Sequence, residues 1–62
     1  MTEQEAKEIL GNAISDDNGL TSLGWYIGWN PWQTSACLDG DFTAEDLEAI
    51  AWWMRNKATQ ND

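Results

Sequence analysis

Histidine is absent from this chain, and cysteine occurs once, at Cys37. Neither a Cys–His pair nor a Ser–His–Asp arrangement can be assembled from such a set, and a lone cysteine forms no internal disulfide. The sequence carries no signal-peptide pattern and no apolar run near the roughly 20 residues that cross a bilayer, so a cytoplasmic protein without a membrane role is expected. Basic residues are almost as scarce, with three Lys and Arg against eleven Asp and Glu and a net charge of −8. Nucleic-acid affinity comes mainly from cations neutralising phosphates, so direct binding of nucleic acid is not expected. A protein partner with a basic surface fits the charge better. A chain of 62 residues has room for one domain with a thin core, expected to be ordered over 2–57 with a frayed tail at 58–62.

Five tryptophans are present in this short chain, more than a thin core can enclose, so some should lie at the surface. The elements follow from periodicity and caps. Thr2 and Glu5 form a Thr-x-x-Glu capping box, and Ala6, Ile9, Leu10 and Ala13 recur on one helical face, predicting a helix from residue 3 to about 14. Ser15 to Gly19 is a polar turn. From Leu20 to Trp29 the spacing of Leu23, Trp25, Ile27 and Trp29 predicts one strand, with Ser22, Gly24, Tyr26 and Gly28 on its flat opposite face. A helix through Leu20, Leu23 and Ile27 would place Gly24 and Gly28 in its interior at about 1 kcal/mol each. Asn30 and Pro31 mark a loop, and Thr34 to Leu38 is the expected returning strand, holding Cys37 as a buried or half-buried side chain. Thr43 caps a second helix over about 44–57, stapled by Phe42 and Leu47, with Leu47, Ile50, Ala51 and Met54 as its buried stripe. The expected fold is α+β, in the order helix, β-hairpin, helix (α-β-β-α), with both helices on one face of a small antiparallel sheet.

Three runs, Leu20-Thr21-Ser22-Leu23-Gly24-Trp25-Tyr26, Leu38-Asp39-Gly40-Asp41-Phe42-Thr43 and Leu47-Glu48-Ala49-Ile50-Ala51-Trp52-Trp53-Met54, resemble short acidic open reading frames of prophages in Gram-negative bacteria. The resemblance covers most of the chain. It implies a setting, a phage accessory protein acting on a host or competing-phage component in the bacterial cytoplasm, and carries over no functional residue.

Catalysis is not expected. Asp39 and Asp41 could pair for acid–base work, but so short a chain offers little wall for the cleft such a pair needs. Asp39, Asp41, Thr43 and Glu45 alternate like the start of a calcium loop, yet Ala44 stands where glycine is required and Ile50 where the bidentate glutamate belongs, so no metal or other cofactor is expected. The acidic charge has two readings: mimicry of nucleic-acid phosphates toward a basic partner, or a solvated surface in which Glu3, Glu5, Glu45, Asp46 and Glu48 serve the helix dipoles. Trp52 projects far from the expected stripe of the second helix and should be largely exposed. Trp32, in the hairpin loop, either lies exposed or caps the end of the core. The candidate partner-binding set is Trp52, Trp32 and Tyr26 as aromatic anchors, with Glu45, Glu48, Asp39 and Asp41 as the acidic surround. Two functions follow from it: a non-catalytic inhibitor or adaptor that binds a host protein, or a phage assembly component that associates with itself, as in a homodimer, through open sheet edges.

Overall fold

Two threonines begin the two helices by the same device. In a computed structural model of the chain, which describes residues 1–21 and 26–59, Thr2 Oγ1 accepts from the Glu5 N–H at 3.2 Å and Glu5 Oε1 accepts from the Thr2 N–H at 2.8 Å. The capping box so closed opens α1 (Glu3–Leu10), which continues as a 3₁₀ turn over Gly11–Ala13. At α2 (Ala44–Lys57) Thr43 Oγ1 accepts from the Asp46 N–H at 3.0 Å, and Asp46 Oδ2 accepts from the Thr43 N–H at 3.1 Å. Each box satisfies amide donors that a helix start otherwise leaves without a partner.

The sheet has three antiparallel strands, β1 (Leu20–Thr21), β2 (Tyr26–Trp29) and β3 (Cys37–Asp39), in that spatial order. The expectation of one strand from Leu20 to Trp29 is therefore corrected. Leu20 pairs with Trp29 and Thr21 with Gly28, so the segment doubles back on itself as a hairpin. Residues 22–25, and with them the expectations for Ser22, Leu23, Gly24 and Trp25, lie outside the described residues. The returning strand is present but later than expected, with Ile27 opposite Leu38 and Gly28 opposite Cys37. That register turns Leu38 toward the helix side and Cys37 away from it, because successive side chains on a strand alternate. Cys37 is consequently exposed, not buried or half-buried as expected.

Both helices pack on one face of this sheet, giving the α+β arrangement in the helix–sheet–helix order expected. The core is built from Ala6, Leu10 and Ala13 of the first helical segment, Leu20, Ile27 and Trp29 of the sheet, and Ala49, Ile50 and Trp53 of α2. The inward stripe of α2 is thus turned from the expected one. Leu47 is 45% exposed and Ala51 is exposed, while Met54 is half-buried. At about 100° per residue, choosing Ala49 and Trp53 over Leu47 and Ala51 rotates the helix by roughly one residue. Trp53 supplies the reason, since it carries more apolar surface than either Leu47 or Ala51 and its indole N–H finds the Asn18 carbonyl at 2.8 Å. Phe42 is half-buried against the core, whereas Leu47, expected to complete the staple, faces outward.

Short bonds tie the connections down. Asp17 Oδ1 accepts from Ser15 Oγ at 2.7 Å and from the Gly19 N–H at 3.0 Å, closing the turn that feeds β1. The Thr59 N–H donates to the Pro31 carbonyl at 2.9 Å, tying the residues after α2 to the β2–β3 loop. Among the described residues no helix is long and apolar enough to cross a membrane.

Candidate interaction surface

α1 and α2 run antiparallel. Lys57 at the end of α2 reaches Glu3 at the start of α1, at 3.2 Å. Toward the other end, Glu5, Glu8 and Ile9 of α1 face Glu45 and Glu48 of α2 across an open groove of about 400 Å³, which Met1 also lines. A second trough, sharing Met1 and Glu48 with the first, continues along α2 past Trp52 and Asn56. Helical geometry explains the lining, because residues three and four apart stand above one another on a helix. Glu5, Glu8 and Ile9 fall on one side of α1 as Glu45, Glu48 and Trp52 do on α2. Ile9, Trp52 and Met1 form the apolar part, with Met1 46% exposed and the other two half-buried.

Arg55 lines the second trough beside Trp52 and Asn56, while the two lysines stand away from both. Lys7 and Lys57 both bind Glu3, at 3.3 and 3.2 Å, and Lys57 Nζ also lies 5.2 Å from the centre of the Trp53 ring. Hydrogen bonds from Lys57 and then Lys7 hold the Glu3 carboxyl below its ordinary value of 4.5. Among the described residues, neither Lys, Arg nor the chain's amino terminus pairs with Glu5, Glu8, Glu45 or Glu48. Dipole preference accounts for two of these acids only. Glu5 and Glu45 belong to the first turns of their helices, where a carboxylate is favoured. Glu8 lies in the last turn of α1, where the dipole opposes it, and Glu48 lies past the first turn of α2. Four like charges flanking one groove repel one another, so the isolated fold is less stable for having them.

The predicted site residues divide between two faces. Glu45, Glu48 and Trp52 belong to the helix side, although Trp52 is half-buried against the core, not largely exposed as expected. The rotation of α2 that buries Trp53 draws its neighbour partly inward. Tyr26 and Asp39 are cross-strand partners on the sheet. Tyr26 is 51% exposed, and its ring lies over Gly28, filling the space a side chain there would occupy, so this part of the expected flat face is covered. Trp32 is 65% exposed in the β2–β3 loop, which settles its placement in favour of exposure over capping the core. Asp41 is exposed between β3 and α2. Neither Asp39 nor Asp41 lines the helix groove. The α1 half of the groove, Met1, Glu5, Glu8 and Ile9, was not expected from the sequence. The sequence held no local signal for it, because a helix running to about residue 14 puts Glu8 in its middle, and only the end of α1 at Leu10 brings Glu8 into the last turn.

Among the described residues no group of three or more Cys, Asp or Glu side chains is arranged to hold a metal ion. Thr43 Oγ1, in the calcium-loop-like run, is occupied by its helix cap. No protein-family model, no curated protein and no solved structure matches the chain.

Proposed function

We propose that this chain is a non-catalytic interaction protein, an inhibitor or adaptor that docks on a basic surface of a host protein through the groove between α1 and α2. The observation that carries this reading is the separation of charge: Glu5, Glu8, Glu45 and Glu48 share one groove, Lys7 and Lys57 both pair with Glu3, and Arg55 lines only the trough beyond Glu48. Carboxylates without a cation partner steer a basic protein toward the groove, and the apolar surface of Met1, Ile9 and Trp52 supplies contact once it arrives. The prophage resemblance implies an encounter in the bacterial cytoplasm, with a host or competing-phage protein as the target. Carboxylates presented in place of phosphates would make a nucleic-acid-binding protein a suitable one. Affinity capture from a Gram-negative lysate tests the reading when the chain is compared with its Glu8→Gln/Glu45→Gln/Glu48→Gln variant. A basic protein retained by the first and lost by the second supports it. Capture that ignores the three carboxylates counts against it.

A second reading, self-association in a phage assembly, draws on a different feature. β3 is an edge strand whose three residues are all exposed, including Leu38 at 42%. Its free backbone groups could pair with another copy. Light scattering at micromolar concentration separates the two, a monomer being expected for the inhibitor and a dimer or larger species for the assembly component.

A further inference from the structure

We infer that the occupant of the α1–α2 groove is one amphipathic helix of the partner, carrying Lys or Arg on both flanks of an apolar stripe. The inference rests on the docking reading above and specifies the form of the partner. Two antiparallel helices leave a furrow along their seam into which a third helix packs by the same ridge-and-groove fit that joins the first two. Here the seam is apolar where such a stripe would lie, at Ile9 and Met1; the trough beyond Glu48, at Trp52, is lined by Arg55 as well, so the acids matched to a ligand are those of the first groove. Carboxylates stand on both sides of it. Glu5 and Glu8 on one bank are spaced i, i+3, and so are Glu45 and Glu48 on the other.

This doubling selects the shape of the ligand. A helix presents cations at i, i+3 or i+4 on each flank of its apolar stripe, so it can meet both banks at once with its stripe facing down. An extended segment turns alternate side chains to opposite faces and offers the seam one row only. The position of Glu8 adds an independent reason to read the acids as matched to a ligand. It opposes the dipole of its own helix, and a cation from outside relieves both that cost and the repulsion across the groove.

The test uses the full chain and three synthetic peptides with the same number of lysines. The first, about the 14-residue length of α2, combines leucine and lysine so that the leucines recur every three to four positions. The second alternates leucine and lysine strictly, and the third sets lysines among glycine and serine. Titration calorimetry at low salt should show the first bound at least about tenfold more tightly than the others. The Glu8→Gln/Glu45→Gln/Glu48→Gln variant should weaken that peptide about tenfold, while Asp16→Asn/Asp39→Asn/Asp41→Asn, which removes the same three charges away from the groove, changes it by less than about twofold. Ile9→Ser leaves the charge untouched and should weaken the helix-patterned peptide alone. Equal binding of all three peptides overturns the helical occupant and leaves a basic partner standing. Equal losses in the two charge variants overturn the groove as the site. If no lysine peptide binds at low salt, the docking reading falls with the inference.

Discussion

Trp53 and Asn18, 35 positions apart in the chain, meet through a single bond in which the indole N–H donates to the backbone carbonyl at 2.8 Å. Asn18 stands in the left-handed region at φ 69°, within the turn that Asp17 closes, and that backbone directs its carbonyl at α2. Trp53 is 1% exposed and, among the described residues, is the largest of the fully buried side chains. Trp53→Phe keeps an aromatic ring but leaves the Asn18 carbonyl without its donor and a gap beside it. A loss of about 1.5 to 3 kcal/mol is expected, read as a lower urea midpoint. An unchanged midpoint would show that the inward face of α2 is set by other residues.

Thr43→Ala removes one half of the box that starts α2. It should cost about 0.5 to 2 kcal/mol, visible as reduced helicity on warming and a lower thermal midpoint. Asp46→Asn, which keeps an oxygen acceptor for the Thr43 N–H, is expected to cost less.

Gly19 has a different constraint, the approach of a neighbouring strand. A Cβ at this position would come 2.8 Å from the Trp29 carbonyl oxygen and 3.1 Å from both Asp17 Oδ1 and Ser15 Oγ. The backbone oxygen cannot swing aside as a side chain can. Gly19→Ala should therefore destabilise by about 1 to 3 kcal/mol, while Gly11→Ala, where nothing lies within 4 Å but φ is +50°, reports backbone strain alone.

Glu8→Gln is expected to act in the opposite direction. It relieves repulsion from Glu5 three residues away and removes a carboxylate from the end of α1 that disfavours one. The gain should be a few tenths of a kcal/mol, roughly 0.2 to 0.5, and should shrink in high salt. A variant more stable in isolation yet weaker toward a basic partner would display the exchange of stability for binding directly.

Acid should act through Glu3. Its folded carboxyl titrates below 4.5 because Lys57 and Lys7 stabilise the charged form, so its contribution is complete above the unfolded value and is lost as pH falls through the folded one. The thermal midpoint of the native chain should exceed that of Glu3→Gln at neutral pH, and the difference should close as pH drops below about 4.5. A difference that persists in full at pH 2 would mean that Glu3 acts by packing instead of charge.

The caps and the boundaries of α2 were legible in the sequence because they depend on residues within three or four positions of one another, as Thr43 and Asp46 do. The hairpin inside Leu20–Trp29 was missed, though its sign was present. Leu20 is even-numbered and apolar, Ile27 and Trp29 are odd-numbered and apolar, and a straight strand would put them on opposite faces. All three are buried together, which a two-fold alternation permits only if the chain turns back between them. The facing of α2 was misjudged because the stripe was drawn through Leu47, Ile50, Ala51 and Met54 with Trp53 left out, while the bond that draws Trp53 inward comes from a turn far away in sequence. The groove was half legible for a similar reason. Glu45 and Glu48 were visible as neighbours, but nothing local to either helix says that Glu5 and Glu8 stand opposite them.

The convergence of Lys7 and Lys57 on Glu3 also sets how the molecule turns in solution. It takes both lysines to Glu3 and leaves the carboxylates of Glu5, Glu8, Glu45 and Glu48 along the groove, so the chain has one side richer in negative charge. The molecule measures 32 × 22 × 20 Å, and at physiological salt a neighbour's field is felt over only about 8 Å. A basic surface therefore senses whichever side is nearer, drawing the groove side in and giving the paired lysines no such pull. Its torque on the chain acts in the last few ångströms before contact. Fewer encounters are then wasted in wrong orientations, and the benefit lies in how the chain arrives more than in how often.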